Sequence, residues 1–162
     1  MTLSLYEASV PVFRRYLGQL ASLLAAAESH AEQHGLPADV LLQGRLAPDM
    51  LPCAVQVEVA ANFALRACYP LAGLPVPAYG DFESTIEGLR LRLQQVVALL
   101  NALNPISFAA SEACVIEDSA GNGMVSLEAD VFLFQYALPN FFFHVAMAYA
   151  ILRHFGVAIG KA

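Results

Sequence analysis

Residues Val131–Leu152 read VFLFQYALPNFFFHVAMAYAIL, 22 positions without one charged side chain, and their placement decides the fold. As a helix the stretch would rise about 33 Å, enough to cross a bilayer. Against a span stand Gln135, Pro139, Asn140 and His144, which would all lie near the hydrocarbon centre with no second apolar span to pair them. The stretch is therefore expected to be a central helix buried in a bundle, not a membrane anchor. We place this fourth helix from Leu127 or Glu128 to Phe155, with a bend at Pro139 and a stop at Gly156. On its wheel Arg153 shares a side with Phe142 and Tyr149, whereas Asn140, His144, Met147 and Ile151 face the interior.

Three further helices precede it. Ser4-Leu5-Tyr6-Glu7 has the S-x-x-E spacing of a reciprocal capping box and Gly35 is a stop signal, so helix one lies between them. Phe13, Tyr16, Leu17, Leu20, Leu23, Leu24 and Ala27 form its apolar stripe, and Pro11 predicts a bend or a delayed start. Leu36 to Leu46 is a connection with a short turn of helix. Helix two is expected from Pro48-Asp49 to Tyr69, stopping before Pro70. Glu58, Asn62 and Arg66 make its polar stripe, Cys53, Val57, Ala60 and Ala64 lie opposite, and Gln56, Phe63 and Ala67 flank them, which turns Gln56 toward the core. Leu71 to Asp81 is a loop. A second S-x-x-E box, Ser84-Thr85-Ile86-Glu87, opens helix three, which Asn104-Pro105 ends. The period then changes: Cys114–Glu117 and Met124–Leu127 flank Asp118–Gly123 as a hairpin with a glycine-rich turn. The chain thus predicts a single all-α domain over residues 1–162, a four-helix bundle with a small β-hairpin between helices three and four.

Composition narrows the function classes. Of 162 residues, 58% are hydrophobic and 14% charged, against usual values of about 45–50% and 25%, so disorder is excluded and much of the surface is uncharged. Such a surface favours association, and a homodimer is expected. Eight basic against fourteen acidic residues, with Lys161 the single lysine, argue against nucleic acid as a partner. Cys53, Cys68 and Cys114 show neither C-x-x-C spacing nor an even count, which fits a reducing compartment, and no signal peptide is read at the N-terminus. The expected location is cytoplasmic.

The strings LYEASVPVFRRYL, RLAPDMLP with Gln56 a turn later, and LPNFFFHVAMAYAILRHFGV with GK near the end closely resemble an uncharacterised bacterial and fungal domain family grouped with the DinB/YfiT-like four-helix bundles. The resemblance covers essentially the whole chain. It implies the bundle fold and, from the wider superfamily, a divalent metal such as zinc or nickel held by three histidines, with thiol S-transferase activity in some members. One of those histidines comes from helix two and two from an H-x-x-x-H pair on helix four, followed by a glycine about a dozen residues later. His144 stands at that distance from Gly156 and matches the second of the pair; the first falls on Asn140, and the helix-two ligand falls near Gln56. Two of three positions are thus amides, which are poor ligands for such metals beside imidazole.

Several constellations carry candidate chemistry. Gln56, Asn140 and His144 line a polar pocket for a small molecule or form a buried hydrogen-bond network that fixes helix register; residue types leave both open. Arg45 and Asp49 either pair to pin the loop onto helix two or present a charged mouth to that pocket. His30 and His34, at i and i+4, suit either a metal or a helix C-terminus, and Cys53 suits either the core or nucleophilic attack assisted by His144. Ser119–Gly123 lacks the lysine and following helix of a phosphate loop and reads as a turn. Phe141-Phe142-Phe143 covers three faces of its helix, which leaves a ring for a homodimer contact. Three functions remain: a bundle with an altered central pocket and no assignable reaction; a metal-dependent or metal-free transferase or hydrolase using His144 as base or ligand, with Gln56 and Asn140 orienting the substrate; and a structural module acting as a homodimer.

Overall fold

A computed structural model describes residues 3–111 and 114–160. It is a predominantly helical bundle with a two-stranded hairpin inserted before the last helix. In chain order the elements are α1 (Leu5–His34), the short α2 (Ala38–Leu42), α3 (Cys53–Leu71), α4 (Ile86–Asn101), a 3-10 turn (Pro105–Ser111), β1 (Val115–Ala120), β2 (Gly123–Glu128) and α5 (Ala129–His154).

Helix α1 opens on the expected capping box: the Glu7 amide donates to the Ser4 hydroxyl, and the Glu7 carboxylate accepts from the Ser4 amide. Pro11 neither delays the start nor interrupts the helix. The carbonyl that loses its partner, on Glu7, belongs to an exposed residue, so water can take over the bond. Helix α3 begins after Pro52, later than Pro48 suggested. Pro48 instead takes the second position of a tight turn, closed by the Met50 amide donating to the Ala47 carbonyl at 3.1 Å. At its other end α3 runs through Pro70 to Leu71, with Ala72 as its C-cap. Thr85, not Ser84, caps α4; its hydroxyl accepts from the Gly88 amide at 3.0 Å.

The hairpin is longer than expected. Asp118 and Ser119, read as turn residues, are paired with Val125 and Met124, which leaves only Gly121-Asn122 as the turn. In α5 a π-helical stretch, Phe132–Ala137, precedes Pro139. Opening the hydrogen-bond ladder by one residue there accommodates a ring that would clash with the carbonyl four residues back.

The most deeply buried helix is α3, not the charge-free α5. Twelve of the 19 residues of α3 are buried, five of them alanines that let neighbouring helices approach closely. By contrast only 28% of the most apolar 18-residue window of α5 is buried, although its length and composition would suffice to cross a membrane. Its inward face is Ala129, Phe132, Leu133, Ala137, Phe141, Ala148, Ile151 and Leu152; Asn140, His144 and Met147 are only half-buried. An all-apolar helix offers no polar face from which to orient its wheel, hence the offset. Phe134 (50% exposed) and Phe143 (52%) stand outside the core.

Two glycines predict opposite responses. A Cβ on Gly88 would sit 2.0 Å from the Glu83 carbonyl oxygen, whereas one on Gly18 meets nothing within 4 Å. Urea denaturation should show Gly88→Ala destabilised by about 1–3 kcal/mol, and Gly18→Ala stabilised by about 0.5–1 kcal/mol.

Candidate functional site

The start of α3 positions the first residue of the site. Arg45 donates from Nη1 to the Met50 carbonyl at 2.9 Å, and Gln56 donates from Nε2 to the next carbonyl, Leu51, at 3.1 Å. The stretch ahead of α3 is thus held from both sides. The second bond also fixes the orientation of the Gln56 amide, turning its oxygen toward α5. There it meets His144: Nδ1 lies 2.7 Å from Oε1, and Gln56 is 2% exposed. A carbonyl oxygen can only accept, so Nδ1 carries the hydrogen and, in the neutral ring, Nε2 keeps its lone pair.

Apolar neighbours hold the ring neutral. Phe63 stacks on it at 5.9 Å and 24°, and Phe143 meets it edge-on at 5.2 Å. Burial pushes the His144 pKa below its usual 6.5, because the imidazolium is the form that loses hydration. Nε2 makes no hydrogen bond among the described residues.

The structure brings together two of the three expected pocket residues. Asn140 turns back on its own helix, donating from Nδ2 to the Tyr136 carbonyl at 2.7 Å inside the π-helical stretch. Arg45 and Asp49 are exposed and make no ion pair with each other; Arg45 serves the Met50 carbonyl instead. Cys53 is buried beside the Ala148 carbonyl, and burial raises its thiol to about 12, which makes it inert at neutral pH. His30 and His34 stack at 4.1 Å, and His34 donates from Nδ1 to the His30 carbonyl, a helix-end arrangement.

Sequence reasoning missed a polar cluster nearly three turns beyond Gln56 on α3. Arg66 holds both oxygens of Asp118 on β1, at 3.0 Å from Nε and 2.7 Å from Nη2, and also donates to the Ser119 carbonyl. The Tyr136 hydroxyl donates to the same carbonyl at 3.2 Å. The Phe63 ring, which stacks on His144, lies 4.5 Å from the Arg66 guanidinium carbon, so the hairpin latch and the histidine share a wall. With the partners 52 positions apart in sequence, no local pattern announces this pair.

The model of a family described as "Domain of unknown function (DUF1993)" matches residues 5–162. The chain belongs to the DUF1993 family. This DUF1993 domain is also similar to a solved structure described as a DinB family member protein from Shewanella denitrificans. The two share 34% identity over 97% of this chain and 89% of the other, with a TM-score of 0.87. Comparison with curated proteins returns no match. Family and fold therefore place this DUF1993 domain beside the DinB/YfiT-like bundles. The three-histidine metal centre that the superfamily resemblance implies does not fit these residues. One imidazole remains, Gln56 spends its oxygen on that imidazole, and Asn140 is turned away. Among the described residues no group of three His, Cys, Asp or Glu side chains could hold a metal ion.

Two measurements check this geometry. The unfolded chain takes up the His144 proton first as pH falls, so the stability due to the neutral ring is complete above about pH 6.5 and is lost as the pH drops through the lower folded value. Urea denaturation at a series of pH values should show that loss in the wild type and a shallower acid limb in His144→Gln. Separately, Asp118→Ala leaves Arg66 without its carboxylate and should cost roughly 2 kcal/mol.

Proposed function

We propose that this DUF1993 domain binds a small molecule between α3 and α5 and that His144 Nε2 takes the proton of the water or acceptor group that attacks it, as the general base of a hydrolase or transferase. The observation that carries the reading is the 2.7 Å bond between Gln56 Oε1 and His144 Nδ1. It holds the imidazole as a neutral base with its lone pair on the nitrogen left to a ligand. A glutamine performs the orienting role without a charge, so burial keeps the ring neutral down to a lower pH than a carboxylate partner would allow. Phe63 and Phe143 favour a substrate with an apolar body.

Hydrolysis of p-nitrophenyl acetate by the purified chain tests the base. The account expects a rate that rises through a pKa below 6.5 and falls about 100-fold in His144→Gln, while exposed His154→Gln leaves it unchanged. Equal rates in the wild type and His144→Gln would contradict it.

Two further properties go with this reading. The rings of Phe134 and Phe143 are exposed on α5, and the same helix forms with α1 an apolar groove of about 700 Å³ lined by Tyr16, Phe142 and Tyr149. A surface of this kind suits a second copy of the chain packed about a two-fold axis, and this supports a homodimer. Phe143→Glu should then convert a dimer to a monomer in sedimentation; a wild-type monomer at tens of micromolar would contradict it. The free state of Cys53, Cys68 and Cys114 supports a cytoplasmic location.

A further inference from the structure

On the α4 side of α3 lies a second polar group that the His144 reading does not use. Arg92 is 8% exposed. Its Nη1 donates to Asn62 Oδ1 at 3.2 Å, and the Phe82 ring centre lies 5.3 Å from its guanidinium carbon. Nε is sealed from solvent without a hydrogen-bond partner, and among the described residues no carboxylate comes within ion-pairing distance. A buried guanidinium is costly unless an anion faces it. Within the same molecule Arg66 shows the usual solution, since its Nε and Nη2 grip the two oxygens of Asp118 side-on. Arg92 carries the same pair of donors, and neither is bonded among the described residues.

The surroundings suit a small organic acid. Phe82 belongs to the connection 72–85, which carries no helix or strand, and irregular loops longer than about 12 residues are uncommon outside lids and binding loops. Gly80 seats that ring: with φ 78° it holds a conformation unsuited to other residues, and a Cβ there would strike Phe82 at 2.6 Å. Asp81 and Glu83, which flank Phe82, are exposed and neither pairs with Arg92. We propose that Arg92, Asn62 and Phe82 form a binding site for the carboxylate of a small organic acid: Phe82 moves with its loop to uncover the sealed Nε, the two oxygens accept from Nε and Nη2, and the ring then covers the apolar body. A planar carboxylate matches the guanidinium fork, and the aromatic ring favours a flat or apolar remainder.

Benzoate is the probe, and the arginine Nε–H signals in a proton–nitrogen NMR spectrum are the readout. The expected result is a saturable shift of the Arg92 signal, no shift of Arg66, which already holds Asp118, and no response to the neutral benzamide. Calorimetry should show benzoate binding weakened at least about tenfold in Arg92→Lys, which keeps the charge but loses the fork. The wild-type spectrum stands alone if that variant fails to fold. No saturable Arg92 shift with benzoate, an equal response to benzamide, or a response to inorganic phosphate with benzoate inert would each overturn the proposal.

Discussion

Burial of α3 is the constraint on which the rest of this structure depends. Helices α1, α4 and α5 and the hairpin all pack against it, and its alanines let them come close. A polar side chain on a helix enclosed in this way must find a partner on a neighbouring element. Three of them do so in three directions. Gln56 reaches His144 on α5, Asn62 reaches Arg92 on α4, and Arg66 reaches Asp118 on β1. Each bond ties one neighbouring element to α3.

Much of this was legible in the sequence, for reasons that can be located. The capping box at Ser4, the stop at Gly35 and the turn chemistry between the strands are local signals, and they fixed element order and type. Gln56 was placed on the core side by its own helix wheel, and family resemblance pointed to Gln56, Asn140 and His144 as the site. Each failure has a physical cause of its own. Pro48, Pro11 and Pro70 were read by the usual rules, but Pro48 sits in a turn, the carbonyl freed by Pro11 is on an exposed residue, and Pro70 falls in a final turn. Asn140 was lost because the π-helical stretch supplies a nearby carbonyl, a change of hydrogen-bond ladder that no periodicity reports. Arg66 with Asp118 and Arg92 with Asn62 are long-range pairs, invisible until the chain is folded.

The site differs in kind from the three-histidine centre of the superfamily. Where that centre would gather imidazoles, this chain keeps one and gives it an amide partner whose oxygen is already committed. The consequence is a single neutral base in an apolar wall of Phe63 and Phe143, rather than a ligand set. Nearby, the latch of Arg66 on Asp118 ties the hairpin to the same wall through Phe63.

Nitrogen NMR of the His144 ring in the wild type tests the central claim most directly. At neutral pH the expected spectrum is that of one neutral tautomer with the proton on Nδ1 and none on Nε2, changing to a mixture of tautomers in Gln56→Leu. A proton on Nε2, or a charged ring at neutral pH, would contradict it.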